Sequence, residues 1–213
     1  MSSTGLTGEL RAAIVSGSFQ PGERLIESDL VERFGTTRRI VRDALAELDK
    51  EGLVLREANR GASVRKVSLE EAIEITQVRS LLEGLLAAET ARQATDEERN
   101  TFSDILDRMR EAASADPVGS FQPLYLEFHR HLRATGRHAV AADLVENLRN
   151  RNAQFQFRTA LLPGRVQESL QEHEAITAAI LARDEDAART AMQEHLSALI
   201  AALRSWQPND TFI

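Results

Sequence analysis

The sequence predicts a mainly α-helical protein with two domains and a short β-hairpin in the first. Apolar residues make up 42% of the 213 residues but aromatic residues only 5%, which is typical of a helical protein rich in Ala and Leu. Charge is unevenly divided, because residues 1–66 hold 11 Lys and Arg against 10 Asp and Glu, whereas residues 67–213 hold 15 against 23. The N-terminal part is therefore better suited to an anionic partner, through arginines clustered on one face.

Two short helical segments are predicted at the start of the chain. Apolar residues at helical spacing predict a first helix over residues 4–16, which Gly17 ends. Residues 25–34 form a second amphipathic segment, although Ile26 lies where a capping Ser or Asn would be preferred.

The next stretch, residues 35–48, predicts a tight turn followed by one basic helix. Gly35 supplies the backbone freedom of the turn, and Thr36 or Thr37 can cap the helix with its hydroxyl oxygen. The apolar positions form one buried stripe at helical spacing: Ile40, Val41, Ala44, Leu45 and Leu48. Three arginines lie near the helix start and off that stripe: Arg38, Arg39 and Arg42. This order is typical of a helix-turn-helix that enters the major groove of DNA, whereas three arginines on a helix, taken alone, are usually a solvated face.

A β-hairpin is predicted after the basic helix. Residues 53–55 and 62–67 have the composition of two short strands around a loop at 57–61. Gly52 is placed to close the preceding helix in the left-handed conformation. A hairpin rich in Arg that follows a helix-turn-helix predicts a wing that contacts the minor groove or the phosphates.

The rest of the chain is predicted to be helical. Ser68 with Glu71 forms a capping-box pattern that marks a new helix and a domain boundary. The predicted helices cover 69–94, 96–114, 118–135, 138–160, 166–183 and 185–205. The predicted organisation is a DNA-binding domain over 1–67, an all-helical effector-binding and dimerisation domain over 68–207, and a loose tail over 208–213.

The N-terminal motifs, PGERLIESDLVERFGTTRRIVRDALAELDKEGLVLREANRGASV, resemble the winged-helix domain of the GntR family of bacterial transcription regulators. The resemblance implies DNA contacts by Thr37, Arg38 and Arg42, with Arg39 beside them. It also implies a wing tip, here Asn59, Arg60 and Gly61, that reaches the minor groove. Arg39 and Ile40 stand where many members have Thr-Pro, and Ser28 stands where some have a DNA-contacting Arg, so the operator sequence stays open.

The second half resembles the FCD effector domain of the FadR/VanR branch. The residues that carry this resemblance are VRSLLEGLLAAETA at 78–91, EFHRHL at 127–132 and HEAITAAILARDEDAARTAMQEHL at 173–196. Six predicted helices rather than seven favour the VanR type.

The FCD resemblance implies a metal site and an effector pocket. It assigns His129, His173 and His195 as ligands of a divalent metal such as zinc or nickel, and three neutral imidazoles suit those ions. Tyr125 stands where the family has an Asp ligand, so water or the effector would complete the coordination, and Tyr125 itself is expected to contact the effector. Arg79 is expected to anchor an effector carboxylate; the alternative is an ion pair with Glu83 one turn later. The other two histidines, His131 and His138, are expected at the surface.

Together these features predict a ligand-responsive transcription regulator, and release of repression is the commoner outcome in the family. A homodimer would bind double-stranded operator DNA, and a small organic acid would bind the helical domain and shift its DNA affinity. Two alternatives remain: an effector-independent architectural DNA binder, or a three-His metal-dependent hydrolase. For the hydrolase, Glu172 and Glu174 flank His173 but are expected to point elsewhere.

The chain has no cysteine, no signal peptide and no apolar stretch that could span a bilayer, so a cytoplasmic protein without membrane contact is expected.

Overall fold

The computed structural model describes residues 2–15, 17–57, 61–115, 119–152, 155, 159 and 162–205. This part of the chain packs as two units. The first takes the described residues of 1–68 together with those of 147–157, and the second takes the rest. The boundary near residue 68 lies one residue from the predicted one, whereas residues 147–157 group with the first unit although the sequence assigned them to the second domain.

The first unit combines three helices with a small antiparallel sheet. The helices are α1 Ser3–Val15, α2 Glu27–Phe34 and α3 Arg38–Lys50. The strands are β1 Arg24–Leu25, β2 Val54–Glu57 and β3 Gly61–Val64, in the order β1-β3-β2. The hairpin β2–β3 matches the predicted wing. Strand β1 was not predicted: Arg24 and Leu25 pair with Ser63 and Ala62, so Leu25 belongs to the sheet and not to a helix.

The turn between α2 and α3 forms for local reasons. Gly35 ends α2 in the left-handed conformation, with φ 58° and ψ 43°. Thr37 is the N-cap of α3, and its hydroxyl accepts a 3.4 Å hydrogen bond from the amide of Ile40. Ile26 precedes α2 without a side-chain cap, as its residue type predicted. Ile40 is only partly buried, because it lies at the edge of the stripe that α3 packs against the core.

The second unit is built from helices in the described part of the chain. Six are present: α4 Leu69–Gln93, α5 Asp96–Ala115, α6 Phe121–Thr135, α7 Ala139–Arg151, α8 Arg165–Leu181 and α9 Glu185–Ser205. Of α7, the residues from 147 onward group with the first unit. The predicted helix over 138–160 ends earlier, at Arg151, and Asn152 forms a turn. Among the described helices, none combines the length and the apolar composition that a membrane span requires.

Helix α4 packs most extensively against α9, and α5 packs against α6 and α8. Large apolar side chains without solvent exposure fill the space between these helices, among them Leu86, Phe102, Phe128, Leu132, Ile176 and Met192. At the start of α5, Thr95 and Glu98 form a reciprocal capping box: the Thr95 amide donates to Glu98 at 2.8 Å, and the Glu98 amide donates to the Thr95 hydroxyl at 3.2 Å. This core positions three helices, α6, α8 and α9, around one interior point.

Candidate DNA-binding face and candidate metal centre

Helix α3 presents a basic face opposite its buried stripe. Arg38, Arg39 and Arg42 are exposed, and so is the capping Thr37. On the other side, Val41 and Leu45 are buried in the core of the first unit. The predicted stripe and the predicted arginine face therefore lie on opposite sides of one helix.

The three arginines differ in their partners. Arg42 donates through Nε to both carboxylate oxygens of Glu27 on α2, each at 2.9 Å. This hydrogen bond raises the pKa of Arg42 above its ordinary value, so the guanidinium stays charged. Arg39 makes a 3.3 Å bond to Asp43 one turn along α3. Arg38 has no ion-pair partner among the described residues.

A concavity of about 810 Å³ lies between the basic helix and the sheet of the first unit. Its charged lining comprises Arg24, Arg42 and Arg56 with Glu27 and Glu57, so the basic side chains outnumber the acidic ones. Of the predicted wing tip, Gly61 begins β3 with φ +84°, a conformation that favours glycine. Asn59 and Arg60 lie outside the described residues.

Three histidines from three helices meet inside the second unit. His129 comes from α6, His173 from α8 and His195 from α9, and each is 0% exposed. One potential ligand atom from each lies within 4.8 Å of those of the other two. We call these three residues the histidine cluster. Residues that are 22 to 66 positions apart are thus brought together by tertiary packing alone.

The Nδ1 atom of every member of the histidine cluster has a hydrogen-bond partner. His129 pairs with Glu83 Oε2 at 2.8 Å, and His195 pairs with Glu172 Oε2 at 2.6 Å. The third member, His173, lies 2.6 Å from the backbone oxygen of Ser169. Such partners fix the orientation and tautomer of an imidazole, and they are the usual second layer of a metal site.

Burial controls the charge of the cluster. Desolvation, followed by the neighbouring His195 and His129, holds the pKa of His173 well below its ordinary value. Desolvation also lowers the pKa of His195, although Glu172 opposes it. Burial would raise the pKa of Glu172, but its bonds to His195 and Arg165 outweigh that effect and lower it. His173 and His195 are therefore neutral at pH 7, the form that can donate a lone pair to a metal.

The arrangement fits a metal ion with three nitrogen ligands. The Nε2 atoms of His173 and His195 are buried and make no hydrogen bond with the described residues. Two ligands at a Zn–N distance of about 2.0–2.1 Å in tetrahedral geometry lie about 3.4 Å apart, so side-chain shifts of about 1 Å would close the site. Donor type, burial and the partners at Nδ1 all suit a zinc or nickel ion.

Tyr125 and Arg79 lie beside the histidine cluster. Tyr125 is one turn before His129 on α6, and the ring centroids of the two are 4.5 Å apart. Arg79 is fully buried and pairs with Glu83 Oε1 at 2.7 Å through Nη2 and 2.8 Å through Nε. Burial alone would lower the pKa of Arg79, but Glu83 and then Tyr125 raise it. The ion pair given as an alternative is thus present, and Glu83 joins Arg79 to His129.

Two expectations for neighbouring residues were wrong. Glu172 does not point away from the site but reaches His195 on another helix, whereas Glu174 points outward and pairs with Arg110 at 2.8 Å. His131 is partly buried rather than exposed: its Nε2 lies 2.9 Å from the Glu98 oxygen of the main chain. No local pattern distinguishes Glu172 from Glu174, because the difference depends on where α9 lies.

Comparison with known proteins gives the family. Residues 3–64 match the family described as bacterial regulatory proteins, gntR family, and residues 74–198, more than half of the chain, match the FCD domain. The chain belongs to the GntR family and carries an FCD domain. This GntR-family member is 27% identical over 195 residues to the HTH-type transcriptional repressor RspR of Escherichia coli K12, a match that covers 92% of this chain and 86% of the relative.

Further relatives agree with this placement. The Uxu operon transcriptional regulator of Escherichia coli K12 is 30% identical over 210 residues, covering 88% of this chain and 80% of the relative. The solved structure of E. coli McbR/YncC has a TM-score of 0.81 at 21% identity, covering 95% and 96% of the two chains, and it shows the same fold. This GntR-family chain is therefore a DNA-binding transcription regulator and not an enzyme. Its assignment to the VanR type stays a prediction.

Proposed function

We propose that this regulator is a homodimeric repressor whose second unit senses a small carboxylate next to a divalent metal. The single observation that carries the sensing part is the histidine cluster, with three buried imidazoles aimed at one point and a buried arginine beside them. Operator binding falls to the exposed arginines of α3 and to the wing. RspR, a relative named as a repressor, supports the direction of regulation.

His129, His173 and His195 would hold the metal, and Glu83, Ser169 and Glu172 would orient them. A bound divalent ion would supply a Lewis-acidic position for an oxygen ligand. With Tyr125 at this position instead of an Asp, the site has one carboxylate ligand fewer. An open coordination position is thus left for the effector or for water.

The charge around the cluster favours an anionic effector. Arg79 and Arg165 are buried cations. Arg79 pairs with Glu83, whereas Arg165 pairs with Glu172 at 2.7 Å and, at 3.9 Å, with the exposed Glu168, which points to solvent. A divalent metal would then leave an uncompensated charge of about +2 in an interior where unpaired charge is costly. A small organic acid that ligates the metal would neutralise part of this charge, and Arg79 lies close enough to the cluster to take part in binding it.

Two exposed apolar stripes support a homodimer. Val78 and Leu81 are 49% and 68% exposed on α4, and Val140 and Leu144 are 67% and 48% exposed on α7. Each pair is spaced by about one helical turn, so it presents one apolar ridge. A second copy that covers these ridges would place two α3 helices on a pseudo-palindromic operator.

The metal proposal is tested by elemental analysis and native mass spectrometry of protein incubated with Zn²⁺ or Ni²⁺. We expect the wild type to retain a divalent ion and H173A or H195A to lose it, whereas H138A, which changes an exposed histidine, should retain it. The dimer proposal is tested by light scattering: L81E should give monomers, and L181E, at an exposed Leu on α8, should not. Wild-type protein without retained metal would refute the first proposal, and a dimeric L81E would refute this interface.

Effector binding is tested with the metal-loaded protein and a panel of small mono-, di- and tricarboxylic acids. We expect at least one acid to raise the melting temperature of the wild type, because a ligand that binds only the folded state stabilises it by mass action. The same acid should change the affinity for DNA and should have a weaker effect on R79A. A panel that changes neither quantity would favour an effector-independent DNA binder.

A further inference from the structure

One arginine of the DNA-binding helix is held by a carboxylate from a different helix. Arg42 Nε donates to both oxygens of Glu27 at 2.9 Å, although the two residues are 15 positions apart. The other two arginines have no comparable support. Arg39 makes a single 3.3 Å bond to Asp43 on its own helix, and Arg38 has no ion-pair partner among the described residues.

We infer that Glu27 is a positioning residue that makes Arg42 selective for the base pair it faces. The inference rests on the proposed contact between Arg42 and DNA. A guanidinium presents five N–H donors in a planar fork, so a carboxylate that takes Nε leaves the Nη groups for a second partner. Guanine offers two adjacent acceptors, O6 and N7, that match such a pair of donors.

The position of the pair in the fold supports this role. Glu27 is the first residue of α2 and Arg42 lies in the second turn of α3, so the helix-turn-helix geometry itself sets their distance. The Arg42 side chain is 62% exposed, and it lines the concavity beside the sheet. Arg42 is therefore held in place at its Nε while its terminal groups remain accessible.

Holding Arg42 in this way favours base reading over phosphate binding. A long side chain loses rotamer freedom when it binds, and a partner that restricts it beforehand lowers that cost for one geometry only. Glu27 also places a negative charge beside the helix, which weakens attraction to any phosphate. Loss of Glu27 should thus increase binding to random-sequence DNA and at the same time lower discrimination.

The test uses full-length protein and duplexes enriched from a random-sequence library by the wild type. Affinities are measured for the enriched consensus, for each of its single base-pair variants and for unselected random duplex, at fixed salt. E27Q and E27A are compared with D29N and D29A, which remove the other acidic residue of the first turn of α2 without touching Arg42. Circular dichroism checks that each variant is folded.

We expect E27Q and E27A to lower the ratio of consensus to random affinity by about 2- to 12-fold, the scale of immobilising one long side chain. The loss of discrimination should be confined to the base pair at which R42A also loses discrimination. In an R42A background, E27A should cause no further loss of discrimination. D29N and D29A should raise the affinity for the consensus and the random duplex by the same factor and leave the ratio of the two affinities unchanged.

Two results would overturn the inference, and they are distinguishable. If R42A keeps the full discrimination of the wild type, the proposed contact between Arg42 and a base is wrong. If R42A loses discrimination but the Glu27 variants behave like the Asp29 variants, Arg42 reads DNA without help and only the role of Glu27 is wrong.

Discussion

Replacing Glu83 by Ala should destabilise the second unit strongly, although the substitution removes only a few atoms. Glu83 and Arg79 are both 0% exposed, and Glu83 is the carboxylate that pairs with this guanidinium at 2.7 Å. The same carboxylate accepts from His129 Nδ1 at 2.8 Å. E83A therefore removes the carboxylate that pairs with a buried cation and the hydrogen-bond partner of the buried His129 Nδ1.

The magnitude follows from the cost of an uncompensated buried charge. Removing one partner of a buried ion pair costs about 3–5 kcal/mol in free energy of unfolding. For a chain of 213 residues, 1 kcal/mol corresponds to about 2–4 °C, so the melting temperature should fall by about 6–20 °C. Replacing both residues with apolar ones of similar volume, R79M/E83L, should recover most of the loss because no charge then remains buried.

The assays are urea denaturation for the free energy of unfolding and thermal unfolding for the melting temperature, both followed by far-UV circular dichroism. Metal is removed by a chelator so that ligand binding does not contribute. E89A is the matched control, because Glu89 pairs with Arg92 on the same helix but the pair is partly exposed. Such pairs contribute about 0–1 kcal/mol. If E83A and E89A cost the same, or if R79M/E83L is less stable than E83A, the pair is not the buried, dry contact described above.

The remaining predictions concern other parts of the molecule. G136A should lower the free energy of unfolding by about 1–3 kcal/mol, because an added Cβ would lie 2.9 Å from Leu86 Cδ2 and 3.0 Å from the Leu86 main-chain oxygen. The control is G8A in α1, where an added Cβ meets open space, and this variant should be neutral or stabilising. Thermal unfolding compares the two variants. The amide of Thr95, and after it Arg137, lowers the pKa of Glu98. The stabilisation that the Glu98 carboxylate gives to the folded state is therefore present above the unfolded pKa of about 4.3 and disappears as pH falls through the folded value. E98Q should therefore be less stable than the wild type by about 0.5–1 kcal/mol at neutral pH. Urea midpoints should show this difference narrowing as pH falls below about 4.3, and an unchanged difference would refute the assignment. R38A should weaken consensus binding by about 1–3 kcal/mol if Arg38 reads a base, while R204A should not, and equal affinities in a gel-shift titration would contradict this role.

Much of the first unit could be predicted because its signals are local. The turn at Gly35, the cap at Thr37 and the buried stripe of α3 depend on residues within one or two helical turns of each other. Strand β1 was missed for the opposite reason. Two residues carry no periodicity, and Arg24 and Leu25 become a strand only because β3, about 38 positions later, supplies their hydrogen-bond partners.

Most of the helices, the uneven division of charge and, through family resemblance, the set of three histidines could be predicted from the amino-acid sequence. The contacts that those residues make could not, because they depend on tertiary packing. Three contacts depend on how separate helices pack: that of Glu172, rather than Glu174, with His195, the link through Glu83 between Arg79 and His129, and the pair of Glu27 with Arg42. The local sequence of each helix sets which of its faces is apolar. The contacts between helices are fixed by side-chain packing across the core, which no short stretch of sequence encodes.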